Sequence, residues 1–372
     1  MAASLALCPG PEIDTLPPAP TLSPQAWPLC LQWLVLIVLA GCAGQLLKHF
    51  HLPAGQFVGP MLVGIAMGAS GVSLRIHRQA FRLGQGCVGL LVAHSISWAV
   101  MATVAQSWPV MLAATLLTVL LSTVVALAMV RFGGITSSTA AWGTSPGAAS
   151  AMVAMAEDNG ADPRVVATMQ YVRVVCVVVV GAFVSRLLGV DGGAGNSQGT
   201  AMLLGTPQLT TLLLNLVVLV AGVSLGNWLP AGALLVPMLL GGTLQLAGLL
   251  PVELPGWLLA LAYGTIGCYI GLRFDRPTLA YVWRRLPAMV AGSLLLITLC
   301  ALLAWGLAHL MHKDFLSMYL ATSPGGLDSM AIIAVDTHSD IGLVLAMQTI
   351  RLFGVILTGA FIARQVVRLT RR

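Results

Sequence analysis

The sequence predicts an all-α polytopic membrane protein of two inverted repeats, with about ten transmembrane helices and two re-entrant or broken helices. Three observations carry that prediction: composition, an internal duplication, and a shift of basic loops between the halves. Hydrophobic residues make up 58% of the 372-residue chain and charged residues 8%, with a mean hydropathy of +0.93. A soluble domain carries about 25% charged residues, and many runs here reach the roughly 20 apolar residues that cross a bilayer.

The duplication is read residue by residue. Thr144, Ser145, Pro146 and Gly147 recur 178 positions later as Thr322, Ser323, Pro324 and Gly325. The same offset carries Met152 to Met330, Asp158 to Asp336, Asp162 to Asp340, Gln170 to Gln348 and Arg173 to Arg351. It also carries Gly181-Ala182-Phe183 to Gly359-Ala360-Phe361, without a gap. Upstream, LPAG (52–55) recurs at 229–232 and Pro60 at Pro237, an offset of 177, before one inserted residue aligns Gly86, Gly89 and Pro109 with Gly264, Gly267 and Pro287. A period of this kind sets the architecture and is read first.

Each half yields the same elements. Residues 1–27 are Pro-rich, hold Glu12 and Asp14 but no Lys or Arg, and so lack the basic start of a secretory signal; they read as a disordered tail. The first repeat (28–188) has expected spans at 29–48, 54–72, 83–105, 109–131 and 164–186, with its TSPG segment at 136–157. A Gly/Ser-rich linker (189–207) follows. The second repeat (208–368) has spans at 209–228, 231–250, 256–273, 287–311 and 341–364, with its TSPG segment at 315–335.

Basic loops mark the cytoplasmic side. Arg75, Arg78 and Arg82 follow the second span of the first half, whereas Arg273, Arg276, Arg284 and Arg285 follow the third span of the second half. The bias has moved by one span, as two copies in opposite orientation require. Five spans plus a re-entrant segment per repeat then place both termini, including Arg368, Arg371 and Arg372, in the cytoplasm. The net charge of +6 reads as loop arginine that orients spans, with no direct nucleic-acid contact.

Irregular backbone is tolerated at membrane depth only where protein buries it or it lines a cavity. Ser before Pro is a helix-start signal, because the hydroxyl caps free N–H groups and Pro needs none at the first position. Ser145-Pro146 and Ser323-Pro324 are therefore expected to open short helices running through Met152 and Met330. In inverted repeats the positive ends of those helices face each other, each contributing about 0.3–1 kcal/mol to a bound anion and ~2 kcal/mol when buried. The competing reading is a tight turn in a packed hairpin.

Arg173 and Arg351 lie deep in apolar helices, three residues after Gln170 and Gln348 and hence on the same face. A central Arg costs about 2.5–3.5 kcal/mol to insert and is paired or lines a pathway. The expected substrate-binding set is Thr144, Ser145, Pro146, Gly147, Thr322, Ser323, Pro324, Gly325, Gly326, Gln170, Arg173, Gln348 and Arg351. The alternative is that re-entrant carbonyls or Asp328 satisfy the arginines. Asp328 has Ser150 as its counterpart, an asymmetry that makes it the candidate for proton or sodium coupling. Asp158, Asp162, Asp336 and Asp340 read first as helix caps and second as entry-side groups.

No P-loop, dinucleotide fingerprint or HExxH is present, and the seven cysteines show no CxxC. His309 and His312 read as an interfacial polar pair rather than a metal site, and His94 as a packing residue. No catalytic residue, metal or cofactor is assigned.

The runs WGTSPGAASAMVAMAED (142–158), MQYVR (169–173), LATSPGGLD (320–328) and AMQTIRLF (346–353) closely resemble the bacterial AbrB-type inner-membrane family. The resemblance covers nearly all of residues 30–368 and implies a bacterial inner-membrane location. That family carries the labels ammonia monooxygenase and regulator of gene expression. The first finds no converging metal ligands here, and the second finds no basic recognition helix. The leading expectation is a secondary transporter of a small anionic solute, with the site where the repeats meet. The alternative is a membrane regulator acting through a partner, and the third is a membrane monooxygenase. Expected partners are the bilayer and the solute; a homodimer is compatible with the sequence.

Overall fold

The computed structural model describes residues 27–188 and 209–370, apart from positions 51, 73, 95–97, 148–151, 154, 155, 157–159 and 229–231. At 99–101, 103, 104, 356–364 and 366–370 it describes the backbone alone. The expected tail, the linker, Ser150 and Asp158 thus lie outside the described residues, save for Trp27 and Leu188 at their edges.

The described residues form fourteen α-helices and no strand. The first half contains α1 (Leu29–His49), α2 (Gly55–Ala69), α3 (Arg78–Ala93), α4 (Trp98–Phe132), α5 (Ser137–Thr144) and α6 (Pro163–Leu187). The second contains α7 (Leu209–Leu225), α8 (Gly232–Leu246), α9 (Gly256–Gly271), α10 (Arg276–Val282) and α11 (Leu286–Met311). It ends with α12 (Phe315–Thr322), α13 (Leu327–Asp336) and α14 (Ile341–Thr370).

Among the described residues, five helices are long and apolar enough to cross a membrane, and α9 with α10 makes a sixth if their 48° bend lies within one span. The chain is an all-α, multi-pass membrane protein. Helices α2 and α8 have 15 residues each, about 22 Å at 1.5 Å per residue, against a hydrocarbon core of about 30 Å.

The boundary expected near 105–109 is also displaced. Helix α3 stops at Ala93, and α4 runs from Trp98 through Pro109 to Phe132. An internal proline removes one backbone hydrogen bond but need not end a helix whose other bonds persist. In the second half the corresponding stretch does break, with α10 ending at Val282 and α11 taking Pro287 into its first turn.

The halves interleave. Helix α2 packs along α9, and α3 packs along α8, each pair crossing from one half to the other. Glycine makes both approaches possible. A Cβ at Gly267 would lie 2.5 Å from the Phe57 carbonyl oxygen, and one at Gly89 would lie 2.3 Å from that of Leu234. Those four residues correspond under the offsets read from the sequence. Small residues let membrane helices approach closely where lipid offers no hydrophobic drive to associate.

A second group repeats the reciprocity, α4 against α14 and α11 against α6. Helices α5, α12 and α13 pack within this second group. Helix α13 also touches α3, so the broken segments of the second bundle abut the crossed bundle. Each bundle takes helices from both halves.

Candidate functional site

The TSPG segments depart from the expected helix start. Ser145 and Ser323 are C-caps, with ψ of 124° and 136°, and α13 begins only at Leu327 with Gly326 as its N-cap. The physical cause is the proline. Its ring drives the preceding residue out of the helical region, so Ser-Pro closes the incoming helix instead of opening the outgoing one. In the second half the result is a hairpin of two short helices, α12 and α13, joined by a bend at Ser323-Pro324-Gly325-Gly326.

The serine hydroxyls do not cap a new helix. Ser145 Oγ donates back to the Ala141 carbonyl at 2.7 Å, and Thr144 Oγ1 to that of Ala140 at 2.9 Å. Thr322 Oγ1 donates to the Met318 carbonyl at 2.9 Å. Ser323 Oγ and the buried hydroxyl of Tyr319 one turn earlier lie against each other and bond to no other group. Met152 and Met330 fill the space beside Gly147 and Gly325, where a Cβ would come within 2.8 and 2.7 Å of the methionine Cε atoms.

Breaking a helix leaves its last carbonyls without donors. Gln170 and Arg173 supply them in the first half. Gln170 Nε2 donates to the carbonyls of Trp142 and Ser145 at 3.0 and 3.1 Å. Arg173 donates to those of Thr144 and Ser145 at 3.1 and 3.0 Å, and to Gln170 Oε1 at 2.6 Å. In the second half Gln348 Nε2 donates to the Leu320 and Ser323 carbonyls at 2.8 and 3.1 Å. Arg351 donates to the Ser323 and Gly325 carbonyls at 2.5 and 3.0 Å, and to Gln348 Oε1. The structure thus brings the TSPG, Gln and Arg residues together in two corresponding constellations. The broken-segment carbonyls, not Asp328, hold both arginines.

Charge is not balanced in the same way. Arg173 is 3% exposed and Arg351 5%. Among the described residues the one ion pair is Lys313–Asp340, at 3.1 Å, so neither buried guanidinium has a carboxylate partner. Each leaves its Nε–H unpartnered. The two groups lie within electrostatic range of each other, and Cys300 lies in range of both. Cys300 is fully buried and was not singled out by sequence reasoning; its counterpart in the first half, Ser122, gives the pattern no signal to find. Beside Arg173, a cavity of about 10 Å³ is lined by Thr144, Ser293 and apolar neighbours.

Asp328 sits in the first turn of α13 and accepts from Gln85 Nε2 on α3 at 2.7 Å. This bond crosses the seam between the bundles. Asp162 caps α6, accepting from the Arg164 and Val165 amides, and Asp340 accepts from the Leu343 amide. Asp336 departs from a capping role in its own segment: it accepts from the Ala54 amide at 2.7 Å, across the halves, where Ala54 has φ of 56°. The His94 carbonyl accepts from Gln245, and the His309 ring packs against Trp305. Among the described residues, no group of three or more His, Cys, Asp or Glu could hold a metal ion.

Fold and site together define a multi-pass helical membrane protein whose two broken helices are each clasped by a Gln-x-x-Arg pair. The chain belongs to the AbrB family, whose model, described as "Transition state regulatory protein AbrB", matches residues 66–367. A protein of Escherichia coli (strain K12) named "Putative regulator AbrB" is 43% identical over 336 residues, covering 90% of this chain and 96% of that protein. A Bacillus subtilis (strain 168) protein named "Uncharacterized protein YhjN" is 25% identical over 346 residues, covering 87% of this chain and 90% of its own. No solved structure matches the chain.

Proposed function

We propose that the protein is a secondary transporter of a small anionic solute in the bacterial inner membrane, with two inverted repeats and both termini cytoplasmic. The observation that carries this reading is the pair of buried guanidinium groups without a carboxylate partner among the described residues. A buried charge is costly unless paired, and carbonyl oxygens supply dipoles without a counter-charge. An anion would complete the balance, drawing on the free Nε–H groups of Arg173 and Arg351 and on the Ser323–Tyr319 hydroxyl pair. Broken helices facing across corresponding halves are the usual construction of such sites.

Asp328 and Gln85 couple the site to movement in this reading. Protonation of Asp328 would alter the bond that ties α13 to α3, and displacement of one bundle against the other would alternate access. Asp328→Asn is expected to preserve solute binding while abolishing flux driven by a proton gradient in proteoliposomes. Gradient-driven flux equal to that of the native protein would exclude the coupling role.

The binding test is a thermal-shift screen of purified protein against small anions. A ligand present at 100 times its Kd should stabilise the native state by about 2.7 kcal/mol, and Arg351→Gln should erase that response without unfolding the protein. A response that persists in Arg351→Gln would exclude that arginine as an essential anion contact. The printed name of the Escherichia coli relative favours a second reading, a membrane regulator that acts through a partner. A cytoplasmic protein that co-purifies, with no solute flux, would support it over transport.

A further inference from the structure

The two halves treat one interhelical space differently. In the second half, α7 packs on α3, and a Cβ at Gly86 would lie 2.6 Å from both Leu219 Cδ1 and Val223 Cγ2. In the first half the corresponding glycine is Gly264, whose nearest potential contact is Pro60 Cγ at 3.9 Å. Between α1 and α9, over α2, lies a cavity of about 280 Å³.

The sequence explains the gap. Gly55 packs on Lys48 as Gly232 packs on Gly226, and Gly44 packs on Pro60 as Gly222 packs on Pro237. These contacts fix the correspondence of α1 with α7. Gly41 then stands where α7 has Leu219, and Gln45 where it has Val223. Gln56 replaces Ala233, and Lys48 replaces Gly226. Bulk has been removed from the middle of the space, and polar groups have been added at one end.

The groove has the dimensions and polarity of one lipid chain. Its α1 wall runs through Trp33, Ile37, Gly41 and Gln45, about 18 Å at 1.5 Å per residue. One leaflet of the hydrocarbon core is about 15 Å deep. The groove opens sideways between Ile37 (66% exposed) and Leu261 (62% exposed), on the apolar surface that faces acyl chains. At its other end Gln45 lies within the last two turns of α1 and Gln56 in the first turn of α2. No hydrogen bond to either amide is present in the described structure. Lys48 and His49 occupy the last turn of α1, just beyond the lining of the groove, and Lys48 also lies within electrostatic range of the buried Asp336.

We propose that this groove binds a single anionic glycerophospholipid, one acyl chain between α1 and α9 and the headgroup held at Gln45 and Gln56, with Lys48 one turn beyond to favour its charge. Occupancy here is independent of the solute site. The lipid would fill between α1 and α9 the space that Leu219 and Val223 fill between α7 and α3.

The test uses purified full-length protein, washed in detergent and titrated with palmitoyl-oleoyl phosphatidylglycerol, with the phosphatidylcholine of the same chains as control. Native mass spectrometry should show one tightly held phosphatidylglycerol per chain. The pair Gly41→Leu and Gln45→Val installs the fillers of the second half where an added Cβ at Gly41 meets nothing within 4 Å; it should weaken that adduct about tenfold or more. Gly264→Val fills the groove from the opposite wall and should do the same should the pair fail to fold. Lys48→Gln should leave one lipid bound but remove the preference for phosphatidylglycerol. Equal lipid binding by native and filled proteins would overturn the proposal. So would a filled variant that changes the oligomer mass instead, since the groove would then be a contact between copies.

Discussion

The half-site around Ser145 and the half-site around Ser323 share one hydrogen-bond plan and differ in how completely they satisfy it. In the first, the serine hydroxyl turns back onto Ala141 and Arg173 grips two consecutive carbonyls. In the second, Arg351 reaches two residues further, to Gly325, while the Ser323 and Tyr319 hydroxyls have only each other. The second half also has Asp328, tied to α3, where the first has Ser150. Duplication preserved the clasp on the broken helix. The paired Ser323 and Tyr319 hydroxyls and the carboxylate belong to the second copy.

The largest expected effect tests whether the two arginines act as one site. If a single anion spans both, Arg173→Gln and Arg351→Gln should each abolish the ligand-induced rise in melting temperature. If the half-sites bind separately, each variant should halve the stoichiometry in calorimetry and leave the remaining affinity intact. Next in size are the crossed packings. Gly89→Ala and Gly267→Ala each push a Cβ into a carbonyl oxygen of the other half, at 2.3 and 2.5 Å, and overpacking costs about 1–3 kcal/mol. Similar losses of thermal stability would show the crossings to be equivalent; a loss in one alone would break the equivalence.

The serines should differ more finely. Ser145→Ala removes a made hydrogen bond and should cost about 0.5–1.5 kcal/mol. Ser323→Ala removes a hydroxyl whose one neighbour is that of Tyr319, and should lower the ligand-free melting temperature less than Ser145→Ala does while weakening anion binding. Equal destabilisation by both would contradict the asymmetry. The smallest effect falls at Lys313, paired with Asp340 with both side chains partly exposed. Lys313→Ala should cost about 0.2–1 kcal/mol and less in high salt; the first half has Ile135 at that position and no equivalent to lose.

Much of this was legible in the sequence. The offset of 178 and the Gln-x-x-Arg spacing put two amides and two guanidiniums beside two TSPG breaks, and the hydrogen bonds fall at that same offset. The direction of the break runs against the expectation from the sequence. Ser-Pro is compatible with a helix start, but the conformational restriction that proline places on Ser145 and Ser323 decides for a helix end. Pro109 misled in the opposite sense, because a single lost amide did not divide α4. The pairing of Asp328 with Gln85, of Asp336 with Ala54, and the openness of Gly41 depend on which helices become neighbours. Helical periodicity names a face without naming what covers it.

The crossing of α2 with α9 and of α3 with α8 has a consequence for biogenesis. During synthesis α2 and α3 leave the ribosome long before residues 232–271, which supply their close-packed partners. Until then their glycine faces meet lipid or a chaperone. Assembly must therefore follow insertion of the second half, and a nascent chain arrested near residue 188 would be inserted but unassembled, a ready substrate for membrane proteases.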